Sequence, residues 1–212
     1  MSVPKKRTAS PKPARRGAPP TSTKLPHELE GALQALAYWI GYQHERYRHH
    51  PLSEGAIVDE FARLLSEKLG RDGGLVVCRE HSIGAVSGNR GDDAKRFDVV
   101  VGSPSGNRAN LVAEPAYCIE VKRASKAYES DLERLRLAAS ESQGRWRGFA
   151  IVVGHARPEF LNDKQKARRG TFPSSNGASF AVRRVVRAHG AVHAKPKSGH
   201  WVCVLEAVAR KA

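Results

Sequence analysis

Four short apolar runs, separated by turn residues and one helical segment, constrain the fold of this chain most strongly. The runs LVVCRE, RFDVVVG, AYCIEVKRA and FAIVVG occupy residues 75–80, 96–102, 116–124 and 149–154. All four have the β-branched or apolar composition of buried strands, and the first three are bounded by Gly, Asn and Pro. Residues 127–140 have apolar side chains at helical spacing. We therefore expect a right-handed crossover between two parallel strands at the end of this region.

Two further helices are predicted upstream of these strands. Apolar residues recur at helical spacing over 27–47, where Pro51 stops the helix, and again from the N-cap Ser53 to near Gly70. Helices and buried strands in this succession predict an α/β domain.

The last third of the chain has a less regular pattern. Apolar residues from Ala181 to Val186 favour a helix that Gly190 ends. The runs AVHA at 191–194 and HWVCVLEAV at 200–208 flank a Pro-Lys-Ser-Gly turn, which predicts a terminal hairpin.

The formal net charge of +15 indicates a polyanionic partner. Residues 1–26 hold seven of these charges and almost no large apolar side chains, so we predict a disordered basic arm followed by a single domain over 27–212. The domain keeps a surplus of about +8. Because Lys and Arg that neutralise phosphates release condensed counterions, we expect a nucleic-acid partner. PKKR at 4–7 fits a nucleic-acid tail, although a nuclear localisation patch has the same composition.

The sequence gives no indication of a membrane or an oxidising compartment. No stretch reaches the roughly 18 to 20 apolar residues of a membrane span, and the N-terminus lacks the apolar core of a signal peptide. Cys78, Cys118 and Cys203 lie far apart in apolar runs without a CxxC pair, which favours reduced core thiols over a zinc site or disulfides. We therefore expect a cytoplasmic protein that associates with nucleic acid.

Opposite charges inside the third run are unusual for a buried strand. Side chains alternate between the faces of a strand, so Glu120 and Lys122 share one face. If this run forms an antiparallel hairpin with the second run, Asp98 lies across from Glu120 or Lys122. Two carboxylates held close together need a compensating cation. Lys122 supplies one charge, and hard oxygen ligands at an open site suit Mg²⁺.

A third acid belongs to the second predicted helix. At 100° per residue, Glu54 lies almost in the middle of the apolar face formed by residues 57–69. This position favours a side chain that points inward. A first-turn Glu that interacts with the helix dipole is the alternative.

The order of these elements and acids resembles the PD-(D/E)xK, or restriction-endonuclease-like, nuclease superfamily over residues 53–154. Asp98 in one strand precedes Glu-x-Lys in the next by 22 residues, and a helix and a buried strand follow. The resemblance implies a central mixed sheet of four to five strands flanked by helices, with the first helix as an extra N-terminal element. Phe97 stands where the family motif usually has Pro.

The resemblance implies a role for each motif residue. Asp98 and Glu120 correspond to the metal ligands, and Lys122 to the lysine that positions or activates the attacking water. Glu54 corresponds to the accessory acid of the first helix and is a further candidate ligand. The implied cofactor is Mg²⁺, for which Mn²⁺ substitutes. Asp92 and Asp93, in the preceding loop, are alternative ligands.

The function implied by this resemblance is metal-dependent endonucleolytic hydrolysis of DNA, in restriction, defence, repair or recombination. A catalytically silent DNA-binding or scaffold protein and a nuclease for structured RNA are the alternatives. A homodimer is compatible with cleavage of a duplex, since each active site cuts one strand.

Other polar and aromatic residues have simpler interpretations. His44 and His49 lie about 140° apart around a helix and would not face one metal. Trp39, Trp146 and Trp201 are expected to anchor the core. Substrate contact and ordinary solvation both remain open for a larger set: Arg79, Glu80, Lys126, Gln143, Lys164, Lys166, Arg168, Arg169, Arg183, Arg184 and Arg187.

Overall fold

The structure is a computed structural model of the chain. It describes residues 24–46, 52–70, 74–84, 95–105, 112–124, 128–142, 145–154, 171–173, 179–187 and 200–208. The predicted basic arm lies outside the described residues up to position 23.

Three helices and seven strands make up the described part of the chain. The helices are α1 (His27–Arg46), α2 (Glu54–Leu69) and α3 (Glu129–Glu141). The strands are β1 (Val76–Ser82), β2 (Arg96–Pro104), β3 (Val112–Arg123), β4 (Arg147–Gly154), β5 (Thr171–Pro173), β6 (Ser179–Arg187) and β7 (Trp201–Val208). The predicted α/β class is confirmed. None of the helices in these ranges is long and apolar enough to cross a membrane.

The strands form one open mixed sheet in the order β1-β2-β3-β4-β7-β6-β5. Strands β3 and β4 run parallel, as predicted for the crossover through α3, and the other neighbouring pairs are antiparallel. Six strands have seven or more residues, whereas β5 is a three-residue edge strand. The predicted four to five strands were therefore too few.

The prediction of a helix after Ala181 was wrong, because this segment is β6. An irregularity in the pairing with β7, between Val182 and Arg184, shifts the alternation of the strand. As a result, Val182 and Val185 pack against the same core cluster although they lie three residues apart. A bulged strand thus mimics helical spacing. The terminal hairpin pairs β7 with β6, while the predicted partner 191–194 lies outside the described residues.

Two apolar layers sandwich the sheet. Helices α1 and α2 cover one face, where Ile119 and Val121 of β3 are fully buried. Helix α3 covers the other face, where Cys118 packs. Side-chain alternation therefore directs Glu120 and Lys122 toward α3.

The aromatic and cysteine predictions are confirmed. Trp146 and Trp201 are buried, and Trp39 packs at the edge of the core. All three cysteines are free thiols, with Cys118 and Cys203 buried and Cys78 half-buried.

Helix α3 packs closely on β4 because Gly148 has no side chain. A Cβ atom at Gly148 would lie 3.2 Å from the Cβ atom of Leu135. Real Cβ contacts are seldom this short, so an alanine here would push the helix outward by a few tenths of an ångström. The glycine thereby sets the height of α3 above the sheet.

Candidate active site

The centre of the candidate site is a pair of carboxyl groups on neighbouring strands. In the antiparallel pairing of β2 with β3, Val99 lies opposite Ile119, which places Asp98 across from Glu120. The two carboxyl groups are close enough for the charge of Asp98 to raise the pKa of Glu120. Asp98 Oδ2 also accepts a hydrogen bond from the backbone N–H of Val121 at 2.7 Å, which fixes its orientation. The predicted convergence of these two acids is thus present.

The ionised form of Glu120 is destabilised by burial, and nearby positive charge offsets this only in part. Its side chain is only 1% exposed, and this desolvation, together with the negative charge of Asp98, raises the pKa of Glu120 from 4.5 to about 8. The positive charge of Arg134 opposes this increase in pKa without cancelling it. Near neutral pH Glu120 therefore retains a proton, which a metal cation would replace.

Lys122 lies beside this pair and connects two further acids. Its Nζ donates a hydrogen bond to Glu54 Oε1 at 3.0 Å and lies 3.8 Å from Asp131 Oδ2. Burial lowers the pKa of Lys122, but the Glu54 hydrogen bond and the surrounding acids raise it further, so the net shift is upward. Lys122 is therefore a fixed cation at neutral pH. It is suited to hold an anionic group and not to remove a proton.

Glu54 reaches the site from the start of α2. The Oγ of the N-cap Ser53 accepts a hydrogen bond from the Ala56 N–H at 3.1 Å, which confirms the predicted helix start. The Glu54 carboxylate then meets both Lys122 and the backbone N–H of Arg123, the latter at 3.4 Å. Both interpretations of this residue apply, since it occupies the first helical turn and points toward the site.

Two site residues, Asp131 and Arg134 of α3, were not predicted from the sequence. A single guanidinium nitrogen of Arg134, Nη2, donates a hydrogen bond to Glu120 Oε1 and forms an ion pair with Asp131, 2.9 Å from its Oδ1 atom. Asp131 is buried, which raises its pKa, whereas the charges of Lys122 and Arg134 act in the opposite direction. A sequence signal was available, because Asp131 lies three residues after Tyr128 and four before Leu135 on the predicted apolar face.

The other candidate residues do not join this cluster within the described part of the chain. Arg79 pairs with Asp59 at 2.5 Å, and Glu80, which has a positive φ of 49°, lies 3.7 Å from Arg96. These side chains are exposed. The following candidates lie outside the described residues: His49, Asp92, Asp93, Lys126, Gln143, Lys164, Lys166, Arg168 and Arg169.

The late arginines lie on β6, which β4 and β7 separate from β3 in the sheet. Arg183 pairs with Glu206, and Arg184 lies 3.2 Å from Glu30. The Arg187 guanidinium stacks 5.7 Å from the centre of the Trp201 ring. Each of these arginines therefore has an intramolecular contact, and their role in a DNA channel stays a prediction.

The charges of the cluster fit a divalent cation. Four carboxyl groups (Glu54, Asp98, Glu120 and Asp131) meet two cationic side chains (Lys122 and Arg134), which leaves two negative charges when all are ionised. Mg²⁺ accepts two carboxylates together with waters and a substrate phosphate. Among the described residues, no three acidic, His or Cys side chains form a metal-holding group, so Glu54 as a third ligand stays a prediction.

Comparison with known proteins does not identify this arrangement. No family model, curated protein or solved structure matches the chain.

Proposed function

We propose that this chain is a Mg²⁺-dependent deoxyribonuclease with a PD-(D/E)xK-like core. The observation that carries the proposal is the meeting of Asp98, Glu120 and Lys122 at adjacent strands, with Glu54 bound to Lys122. The succession α2, β1, β2, β3, α3, β4 presents these side chains in the order that the resemblance implies. The basic charge of the chain supports DNA as the substrate.

The side chains divide the chemistry of phosphodiester hydrolysis. Asp98 and Glu120 would hold the cation, which supplies Lewis-acid charge that polarises the phosphodiester and favours ionisation of water. Lys122, a fixed cation, would hold a non-bridging phosphate oxygen or the attacking water in line. Glu54 keeps the Lys122 ammonium in place through its hydrogen bond. The hydrogen bond from Val121 N–H does the same for Asp98.

The test is plasmid cleavage by the full chain with Mg²⁺ and, separately, with Mn²⁺. Asp98→Asn, Glu120→Gln and Lys122→Met remove charge while keeping side-chain size, and we expect each to reduce the cleavage rate by about 10²-fold or more. Glu67→Gln, an exposed acid of α2, is the matched control and should cut like the wild type. Unchanged cleavage in all three site variants would contradict the proposal.

A second candidate is a DNA-binding protein that does not cut. The favouring observation is that Arg134 already neutralises part of the charge on Glu120, so the site is partly compensated by the chain itself. In that case, DNA binding would be tight and salt-sensitive, without metal-dependent cleavage of DNA or of a structured RNA offered in parallel. Cleavage of the RNA alone would instead indicate a ribonuclease.

A further inference from the structure

Arg134, a half-buried arginine, contacts Glu120 through one nitrogen of its guanidinium group. Its Nη2 atom donates to Glu120 and lies 2.9 Å from Asp131 Oδ1, and Glu120 does not receive the two parallel bonds of a guanidinium fork. The Nε atom of Arg134 is buried and has no hydrogen-bond partner within the described residues. One third of the side chain is exposed, so part of Arg134 has access to solvent. The contact therefore joins opposite charges through one hydrogen bond and leaves the buried Nε–H group without an acceptor.

The position of this guanidinium conflicts with metal binding. Glu120 is 1% exposed, and Arg134 Nη2 occupies its Oε1 atom, which is one of only two oxygens with which this side chain can coordinate a cation. Two cations that share a carboxylate oxygen repel each other, most strongly where water is scarce. The guanidinium of Arg134 therefore competes for Glu120 with a metal ion bound by Asp98 and Glu120.

We infer that Arg134 is a resident counter-ion that a divalent cation must displace from Glu120, so that α3 sets the metal affinity of the site. This inference rests on the metal site of the proposed function. Asp131 forms an ion pair with Arg134, three residues away on the same helix, and would retain the displaced guanidinium near the site. The exposed third of the side chain gives it room to move toward solvent.

Metal titration distinguishes this role from a purely structural one. Mn²⁺ binding to the full chain is measured by calorimetry and by electron paramagnetic resonance of free Mn²⁺, at alkaline pH so that protonation of carboxyl groups does not dominate. Arg134→Met and Arg134→Gln should each bind Mn²⁺ about 10- to 100-fold more tightly than the wild type, since a charge-assisted hydrogen bond no longer competes. Arg134→Lys keeps the charge and should stay close to the wild type.

Arg136→Met is the matched control, because Arg136 lies on the same helix and forms its ion pair with Glu133. Its Mn²⁺ affinity should not change. Thermal unfolding adds an independent readout: the neutral Arg134 variants should be less stable than the wild type in EDTA and should gain more stability from Mn²⁺. If one neutral variant does not fold, the other carries the test.

The outcomes separate this inference from the proposed function. Mn²⁺ binding that Asp98→Asn abolishes but that the neutral Arg134 variants leave unchanged or weaken would overturn the counter-ion role and preserve the metal site. Mn²⁺ binding that is absent, or insensitive to Asp98→Asn, would instead refute the metal site itself and the inference with it.

Discussion

Two buried glutamates, Glu120 in β3 and Glu206 in β7, both interact with arginine but in different ways. Glu206 is 8% exposed and accepts hydrogen bonds from both Nε and Nη2 of Arg147, at 2.7 and 2.9 Å. Arg183 donates a further hydrogen bond to the same carboxylate. Arg147 also donates to the backbone oxygen of Lys24 and lies 4.9 Å above the Phe149 ring.

The difference lies in the ratio of positive to negative groups. At Glu206 two guanidinium groups serve one carboxylate, and both come from strands of the same sheet. At Glu120 one guanidinium serves two acids, and Asp98 adds a third. A buried carboxylate with surplus cations is a structural element, whereas one with too few is a place where an added cation stabilises the fold.

The largest expected contrast is in stability without metal. Glu206→Gln leaves two arginines without their buried partner, and we expect it to lower the free energy of unfolding by about 3–5 kcal/mol. At neutral pH Glu120 already holds a proton, so Glu120→Gln exchanges one uncharged group for another and should change stability by only about 1 kcal/mol in either direction. Urea denaturation in EDTA measures both values. Equal destabilisation by the two variants would remove the distinction between these clusters.

A second contrast is in the pH dependence of stability. The folded state raises the pKa of Glu120 from 4.5 to about 8, so the folded chain holds this proton more tightly than the unfolded chain. The resulting stabilisation is complete below pH 4.5 and is lost as the pH rises to about 8. Within that window the loss is at most about 1.4 kcal/mol per pH unit.

The measurement compares wild type with Glu120→Gln in EDTA across this pH range, because the amide does not titrate and other groups cancel. The difference in unfolding free energy should move in favour of the variant as the pH rises and should level off above about pH 8. A difference that stays constant with pH would show that the folded state does not raise the pKa of Glu120.

The smallest expected effect concerns the helix that carries Arg134. Gly148→Ala places a Cβ atom against Leu135 and should destabilise the fold by about 1 kcal/mol. Gly55→Ala in α2 is the matched control, since its added Cβ would meet nothing within 4 Å beyond its chain neighbours and its own helix backbone, and it should be neutral or slightly stabilising. Urea denaturation checks both. Destabilisation by Gly148→Ala no greater than that by Gly55→Ala would mean that α3 does not depend on this close approach.

The central pair could be predicted from sequence because strand alternation and hairpin pairing are local rules. Two opposed runs, each with one acid, were enough to place Asp98 against Glu120. Arg134 could not be assigned in this way, because its partner depends on how far α3 lies above the sheet, which Gly148 and Leu135 determine. The same holds for Glu206 and Arg147, which are 59 residues apart and meet through the pairing of β4 with β7.

The missed strand β6 has a different cause. Its valines follow a spacing that a helix and a bulged strand share, and only the pairing with β7 distinguishes the two. Glu54 is intermediate, since the helical period predicted its direction but not that its carboxylate would bind Lys122. Sequence patterns thus predict toward which face of a helix or strand a side chain points. The partner of each charged side chain depends on how these elements pack against one another.

The backbone of Glu80 bears on how this protein can associate with itself. Strand β1 forms one edge of the sheet, and such an edge can template the growth of a sheet into a neighbouring molecule. A left-handed φ at Glu80 breaks the flat edge, and the exposed charges of Arg79 and Glu80 flank the break. A second copy would therefore find no continuous ladder along the described length of β1, which disfavours fibre-like stacking of sheets on this edge.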